Sequence, residues 1–325
     1  MTGAIMPTLI RTVLLTVLVV FTLSPNLVLA QSTEIISDKN IANARLAYLD
    51  GDYATALPVI IPAAKQGSPI AQNILALMYE YGDGVERDLT KAVQWYEKAV
   101  EQDFVFALLN LGDLYRFGYS DFPTDVAKAA TLYDRAIELD SDMAMYERGR
   151  MFEAGVEGAP DPEKAIYYYQ MAADKGHAEA MANLGNFYVS GTGVDVDYER
   201  ALEIFRTGAE GGSPLAMSNL GAMYENGYAV ETDIVAAAAL YETAAWQGVT
   251  KAMVNLSSIR LTGPEGLRDP ADAYAWCHAA LEWPNAVDVN KNEQTRYEPE
   301  CAYVDSQLDD AQKREGRRLL AEYLP

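Results

Sequence analysis

The chain has 325 residues, of which 50% are apolar and 22% are charged, and its formal net charge is −22 at pH 7. This apolar content supports a substantial folded core and excludes a largely disordered chain. The acidic excess opposes binding to nucleic acid or to anionic lipid, because both require a basic surface, and it favours a partner with basic patches.

The first thirty residues have the pattern of a secretory signal peptide. Arg11 precedes an apolar run over residues 13–23, and small residues lead to a candidate cleavage site after Ala30. The run is shorter than the roughly 20 apolar residues that cross a bilayer. We therefore predict an exported protein, periplasmic or secreted, with no membrane insertion after cleavage of residues 1–30. An uncleaved membrane anchor is the alternative.

A repeat of 36 or 37 residues fills most of the remaining chain. Glycines, alanines and aspartates each recur at this spacing in a fixed order. The three series are Gly82, Gly118, Gly155, Gly191, Gly227 and Gly263; Ala71, Ala107, Ala144, Ala180, Ala216 and Ala252; and Asp88, Asp125, Asp161, Asp197, Asp233 and Asp269. A constant period in the thirties predicts small helical units that stack to bury their apolar faces.

Each repeat is predicted to form two helices. Ala180, Leu184 and Tyr188 lie four residues apart and make one stripe of the first helix. The recurring glycine should end that helix in a left-handed cap, and the recurring aspartate should begin the second helix as its N-cap. One position of the first helix holds only small residues in all six repeats, and we expect a second helix to approach the first closely at this position. Its occupants are Ala76, Gly112, Gly149, Gly185, Gly221 and Ser257.

The stretch GTGVDVDYERA, residues 191–201, looks in isolation like a phosphate or calcium loop. Its recurrence in six repeats favours a turn and a cap instead, and Arg200 and Arg206 stand where a calcium loop requires glycine and glutamate. The two histidines, His177 and His278, lie in different repeats, and the sequence contains no metal-ligand cluster, P-loop or nucleophile motif. We therefore predict no catalytic residues, no metal and no cofactor.

The repeats resemble the Sel1-like repeat (SLR) family, a relative of tetratricopeptide repeats. The segments AMANLGNFYVSGTGVDVDYERALEIFRTGAEGG and AQNILALMYEYGDGVERDLTKAVQWYEKAVEQD carry the resemblance, while Arg148 and Arg260 depart from the usual leucine and tyrosine. The resemblance implies an all-α, right-handed α-α superhelical solenoid of stacked helix pairs. We expect a shortened N-terminal repeat in residues 31–67, six repeats over 68–284, and a connector with a C-terminal capping helix in 285–325.

The same resemblance implies a non-catalytic scaffold that mediates protein–protein interaction, with a signalling or biogenesis partner in the cell envelope. Some exported relatives have been linked to penicillin binding or β-lactam hydrolysis, which makes an enzyme the alternative function. Those relatives are rich in cysteine, whereas this chain has two cysteines and no serine followed three residues later by lysine. The enzyme alternative is therefore disfavoured.

The C-terminal region is predicted to close the stack of repeats. Residues 284–301 are expected to form an irregular connector, and a helix over 308–323 should begin with a capping box of Asp309 and Gln312. Its residues Leu319, Leu320 and Tyr323 are expected to seal the open end of the stack. Export favours a disulfide between Cys277 and Cys301, and a small buried core cysteine at position 277 is the alternative.

A partner-binding surface is predicted on the first helices of the early repeats. The resemblance places first helices on the concave face, and the stripe Ala71–Leu75–Tyr79 must face the core, so the opposite arc is expected to be free. The candidate residues are Ile70, Asn73, Leu77, Tyr81, Phe106, Leu109, Arg116, Phe117, Met143, Tyr146 and Arg150. Aromatic and arginine side chains are common anchors of interfaces. The alternative is that Phe106 and Leu109 pack between neighbouring repeats.

Overall fold

A computed structural model describes residues 37–288 and 293–324. The described residues form sixteen α-helices and two short 3-10 helices, with no β-strand among them. The α-helices are α1 (Asp38–Leu49), α2 (Tyr53–Lys65), α3 (Pro69–Tyr81), α4 (Leu89–Val100), α5 (Val105–Phe117), α6 (Val126–Glu138), α7 (Asp142–Ala154), α8 (Pro162–Asp174), α9 (Ala178–Ser190), α10 (Tyr198–Glu210), α11 (Pro214–Asn226), α12 (Ile234–Trp246), α13 (Thr250–Thr262), α14 (Pro270–Glu282), α15 (Glu298–Ser306) and α16 (Asp310–Tyr323). The predicted all-α class of stacked helix pairs is confirmed.

The described chain divides into two compact units, one ending at Ala144 and the other beginning at Met145. The division falls within α7. In each repeat the odd-numbered helix from α3 to α13 is the first helix, and the even-numbered helix that follows it is the second. The signal-peptide prediction concerns residues 1–30, which lie outside the described residues. No helix among the described residues has the length and apolar character that a bilayer crossing requires.

Aspartate caps begin all six second helices, as the repeat pattern predicts. Each carboxylate accepts a hydrogen bond from the backbone N–H three residues later, at 2.8–3.1 Å. The caps are Asp88, Asp125, Asp161, Asp197, Asp233 and Asp269. Because the first turn of a helix has free N–H donors, this recurring aspartate serves the start of the helix.

Five of the six recurring glycines adopt positive φ at the end of the first helix, and the sixth does not. Gly82, Gly191 and Gly227 are left-handed caps with φ of 78°, 71° and 68°. At Gly263 the prediction of a left-handed cap is wrong, because its φ is −68° and its backbone is extended. The cause is Pro264, since a proline forces the preceding residue toward the extended region.

The small-residue slot in the first helices makes room for an aromatic ring. A Cβ on Gly112 would lie 2.7 Å from the ring of Tyr133, and one on Gly221 would lie 2.9 Å from the ring of Tyr241. Both rings come from the second helix of the same repeat and are fully buried. The close approach that the sequence predicts is therefore between a helix backbone and a tyrosine ring.

The C-terminal region differs from its prediction in one element. The connector contains the nine-residue helix α15, so the expectation of irregular structure up to residue 301 is wrong there. Asp309 and Gln312 form the predicted capping box of α16. Tyr323 packs against the rings of Trp246 and Trp276, with centroids 5.1 and 4.6 Å away, as expected for a helix that covers the last repeat.

Candidate functional site

The predicted partner surface is partly exposed in the first unit. Phe117 is 52% exposed, Ile70 is 39% exposed and Tyr81 is 37% exposed. Phe106 is half-buried and lies against Phe104, with ring centroids 5.6 Å apart. We call these four large side chains the first-unit face. Ile70 and Phe106 lie in the first turns of α3 and α5, and Tyr81 and Phe117 are the last residues of the same two helices.

Four of the predicted surface residues are buried, and for them the prediction of a free arc is wrong. Asn73, Leu77, Leu109 and Arg116 are each at most 9% exposed. The physical reason is visible at Asn73, whose side-chain oxygen accepts a hydrogen bond from Asn110 of α5 at 2.9 Å. At Asn73 the arc opposite the core stripe therefore contacts the next first helix, and the burial of Leu109 agrees with the alternative that it packs inside the stack.

The three remaining candidates lie in α7 and are half-buried. Met143 belongs to the first unit, and Tyr146 and Arg150 belong to the second. Tyr146 stacks on His177 with centroids 4.6 Å apart, and the Arg150 guanidinium lies 3.3 Å from Glu147. Intramolecular contacts thus occupy much of the surface of Tyr146 and Arg150.

A buried carboxylate, Glu80, organises the polar interior of the first unit. It accepts hydrogen bonds from the hydroxyls of Tyr96 at 2.6 Å and Tyr119 at 3.0 Å, and Tyr81 adds a third side-chain hydrogen bond. Beside it, Arg87 forms a two-pronged ion pair with Asp121 at 2.7 and 3.1 Å. Glu80 is thus joined to the second helix of its own repeat and to the loop of the next repeat.

Burial raises the pKa of the Glu80 carboxyl, although the three tyrosine hydroxyls and Arg87 act in the opposite direction. Burial also raises the pKa of Tyr96 well above its usual value, and the negative charge of Glu80 adds to this effect. Every oxygen of Glu80 therefore has a partner within the fold. A buried polar group with satisfied hydrogen bonds stabilises a unique packing arrangement, and we interpret this cluster as structural.

The same tyrosine–carboxylate pair recurs in other repeats. Tyr169 donates to Glu153 at 2.5 Å and Tyr241 donates to Glu225 at 2.7 Å, each across sixteen residues of sequence. In the second repeat the acceptor of Tyr133 is Asp113, one helical turn earlier, at 2.5 Å. The sequence analysis did not predict these pairs, although a glutamate lies sixteen residues before the buried tyrosine in three of the repeats.

The last repeat is joined to the C-terminal region by a disulfide, a histidine–aspartate contact and a tyrosine–aspartate hydrogen bond. Cys277 of α14 and Cys301 of α15 form a disulfide, with their Cα atoms 5.4 Å apart, which lies within the range of such bonds. Next to it, His278 Nε2 lies 3.1 Å from Asp305. Arg260, which stands where the family has tyrosine, contacts Asp272 at 2.7 Å, and Asp272 accepts a hydrogen bond from Tyr323 at 2.7 Å.

The polar side chains described above are held by hydrogen bonds and ion pairs within the fold. In the described residues no group of three or more His, Cys, Asp and Glu side chains is placed to hold a metal ion. The ring of His177 serves as the N-cap of α9, where its Nδ1 accepts a hydrogen bond from Ala180. The exposed apolar side chains of the first-unit face are therefore the features suited to recognition.

The family model of the Sel1 repeat matches six consecutive segments of the chain, residues 69–104, 105–141, 142–177, 178–213, 214–249 and 250–282. The chain therefore belongs to the Sel1 repeat family. Proteins built from this repeat generally act as scaffolds for protein–protein interaction.

Known proteins resemble the chain to different extents. The crystal structure of a Sel1 repeat protein from Oxalobacter formigenes is 32% identical, with a TM-score of 0.67, and the match covers 73% of this chain and 97% of that one. A protective antigen of uropathogenic Escherichia coli with an SLR fold is 25% identical, with a TM-score of 0.47, over 87% and 68% of the two chains. A sel1-like repeat-containing protein of Acanthamoeba polyphaga mimivirus is 40% identical over 57 residues, which are 18% of this chain and 11% of that protein.

Proposed function

We propose that this protein is an exported, non-catalytic scaffold that binds a protein partner in the cell envelope through the first-unit face. One observation carries the proposal. Phe117, Ile70 and Tyr81 are exposed on first helices, where the burial of apolar side chains would otherwise be favourable. A signalling or biogenesis protein of the envelope is the kind of partner that the family resemblance suggests.

Charge supports the same proposal. The chain carries 47 acidic and 25 basic residues, so a partner with basic residues around an apolar centre would complement it. Interfaces commonly place aromatic anchors at the centre and polar residues at the rim. Phe117 is a suitable anchor because the Arg116 guanidinium lies 4.8 Å from the centroid of its ring and holds one side of it.

The test compares two double variants in affinity capture after rapid crosslinking in cells. Ile70→Ala with Phe117→Ala removes the most exposed part of the first-unit face. Tyr167→Ala with Val235→Ala is the matched control, because these residues are 60% and 63% exposed on second helices. The first variant should lose partners that the parent protein and the control both capture, and circular dichroism should show all three folded. Equal capture by all three proteins would refute the proposed face.

The export part of the proposal has its own test. N-terminal sequencing of the protein from a fractionated cell should find it outside the cytoplasm with Gln31 as its first residue. Recovery in the cytoplasm with Met1 or Thr2 at the N-terminus would contradict export, whatever the result of the capture experiment.

A further inference from the structure

An apolar cleft of about 350 Å³ lies in the second unit, between the first helix α13 and the connector helix α15. It is open to solvent along one side. Its lining consists of Val254, Ser257, Ser258, Leu261, Thr262, Cys277, Pro299, Glu300, Tyr303 and Val304.

The inner wall of the cleft is built where the last repeat has a cysteine, Cys277, in place of the aromatic residue that the second helix of each other repeat carries at the same position. At the corresponding position of other repeats Tyr96, Tyr133 and Tyr241 are fully buried, and their rings fill the space beside the first helix. Cys277 is much smaller, and Ser257 opposite it has its hydroxyl bound to the backbone oxygen of Ala273 at 2.7 Å. Cys277 and Ser257 are themselves fully buried, and they form the inner wall of the cleft.

The second wall of the cleft is held firmly in place. Cys301 ties α15 to α14 through the disulfide, and Val304 and Leu308 are buried beside it. The contact of Asp305 with His278 adds a polar link at 3.1 Å. Helix α15 lies beyond residue 282, where the last matched Sel1 repeat ends, so the repeat pattern alone does not build this cleft.

The lining defines the chemistry of an occupant. Val254, Leu261 and Val304 supply apolar walls, Glu300 supplies a carboxylate, and none of the ten lining residues is basic. Tyr303 is 56% exposed at the same site and can cover an apolar group. Small-molecule sites enclose most of their ligand, whereas this cleft is open along its side, which favours side chains presented by a polypeptide.

We infer that the cleft binds a linear segment of a partner protein that presents leucine-sized side chains next to a basic residue. The apolar side chains enter between α13 and α15, and the basic residue pairs with Glu300. This site lies in the second unit and shares no residue with the first-unit face, so it can fail or hold independently of the proposed function.

The experiment uses the full chain with isotope-labelled valine and leucine methyl groups. The probe is the peptide acetyl-Gly-Leu-Lys-Leu-Gly-amide, with lysine replaced by glutamate in the control peptide. The lysine peptide should shift the methyl signals of Val254, Leu261 and Val304. The glutamate peptide and the variant Glu300→Lys should each weaken binding about tenfold, and Ser258→Trp should abolish it by covering the cleft.

The matched control is Glu298→Lys, because Glu298 is exposed on the same helix and does not line the cleft. This variant should bind the lysine peptide as the parent protein does. Methyl signals that do not respond to millimolar peptide, or equal weakening by Glu298→Lys and Glu300→Lys, would overturn the inference. Binding of hexylammonium as tight as that of the peptide would also overturn it, in favour of a small-molecule site.

Discussion

The hydroxyl of Tyr96 donates a hydrogen bond to the buried carboxylate of Glu80 at 2.6 Å, across the two helices of one repeat. Both residues are at most 2% exposed. The bond lies where a first helix and its second helix must hold a fixed relative position. Equivalent hydrogen bonds at Tyr133, Tyr169 and Tyr241 show that a tyrosine–carboxylate pair joins the two helices in other repeats as well.

Replacement of Tyr96 by Phe should lower the free energy of unfolding by about 1–3 kcal/mol, because a buried acceptor loses a donor. Urea unfolding followed by circular dichroism would measure the loss. Tyr167→Phe is the control, since Tyr167 is 60% exposed and its hydroxyl can bond to water. Equal stability of Tyr96→Phe and the parent protein would contradict the structural role of the pair.

As pH rises, the free energy of unfolding of the parent protein should fall relative to that of a Glu80→Gln variant. Burial raises the pKa of Glu80 in the folded chain. Between the ordinary pKa and this raised value the folded state binds more protons, so rising pH lowers the free energy of unfolding of the parent protein. Glutamine does not ionise and removes that decrease.

Urea unfolding of both proteins at several pH values, rising from the ordinary pKa of a glutamate, would measure the effect of the raised pKa of Glu80. The difference in unfolding free energy should change in favour of Glu80→Gln toward the higher pH. Glu97→Gln, an exposed change on the neighbouring helix, is the control. A difference that stays constant with pH would show that Glu80 ionises equally in the folded and unfolded chain.

Gly112→Ala should destabilise the first unit although alanine favours helix formation by about 1 kcal/mol. The new Cβ would lie 2.7 Å from the Tyr133 ring, and that ring is fixed by the bond from its hydroxyl to Asp113. Overpacking typically costs about 1–3 kcal/mol, which exceeds the gain in propensity. Thermal unfolding should show a lower midpoint, whereas Gly266→Ala, whose Cβ meets nothing within 4 Å, should leave it unchanged.

Replacement of both Cys277 and Cys301 by Ser should cost roughly 3 kcal/mol in a chain-entropy model of the 24-residue separation. Hydrogen exchange should accelerate in α15 more than in α16, because α16 keeps its packing against Trp246 and Trp276 through Tyr323. Thiol labelling of the unreduced, denatured parent protein should find no free thiol. Two labelled thiols would show that the bond does not form.

The sequence predicts well those features that depend on local chemistry. The caps Asp88 and Asp269 follow from their position before a helix, and the end of the first helix at Gly82 follows from the conformational freedom of glycine. Gly263 departs from its series because of the adjacent Pro264. The sequence shows this proline, but the prediction of a left-handed cap at Gly263 followed the repeat pattern and did not take it into account.

The candidate partner surface was less predictable because it depends on how neighbouring helices face one another. The stripe Ala71–Leu75–Tyr79 identifies the side of α3 that packs on its own partner helix, but it does not reveal a second contact with the following first helix. Asn73 takes part in such a contact, through its hydrogen bond with Asn110, and Leu77 on the same helix is buried as well. Helix α15 was missed for a related reason, since only Cys301 and Val304 of its nine residues are buried.

The contacts of Tyr323 constrain how this chain can change in length. Tyr323 packs on Trp246 of α12 and Trp276 of α14, and its hydroxyl donates to Asp272. A whole 36-residue segment added or removed before α12 leaves these residues together. A segment inserted between α12 and α16 would instead separate Tyr323 from Trp246. We therefore expect a change in the number of repeats to be tolerated before α12, whereas the helices from α12 to α16 form one continuous block.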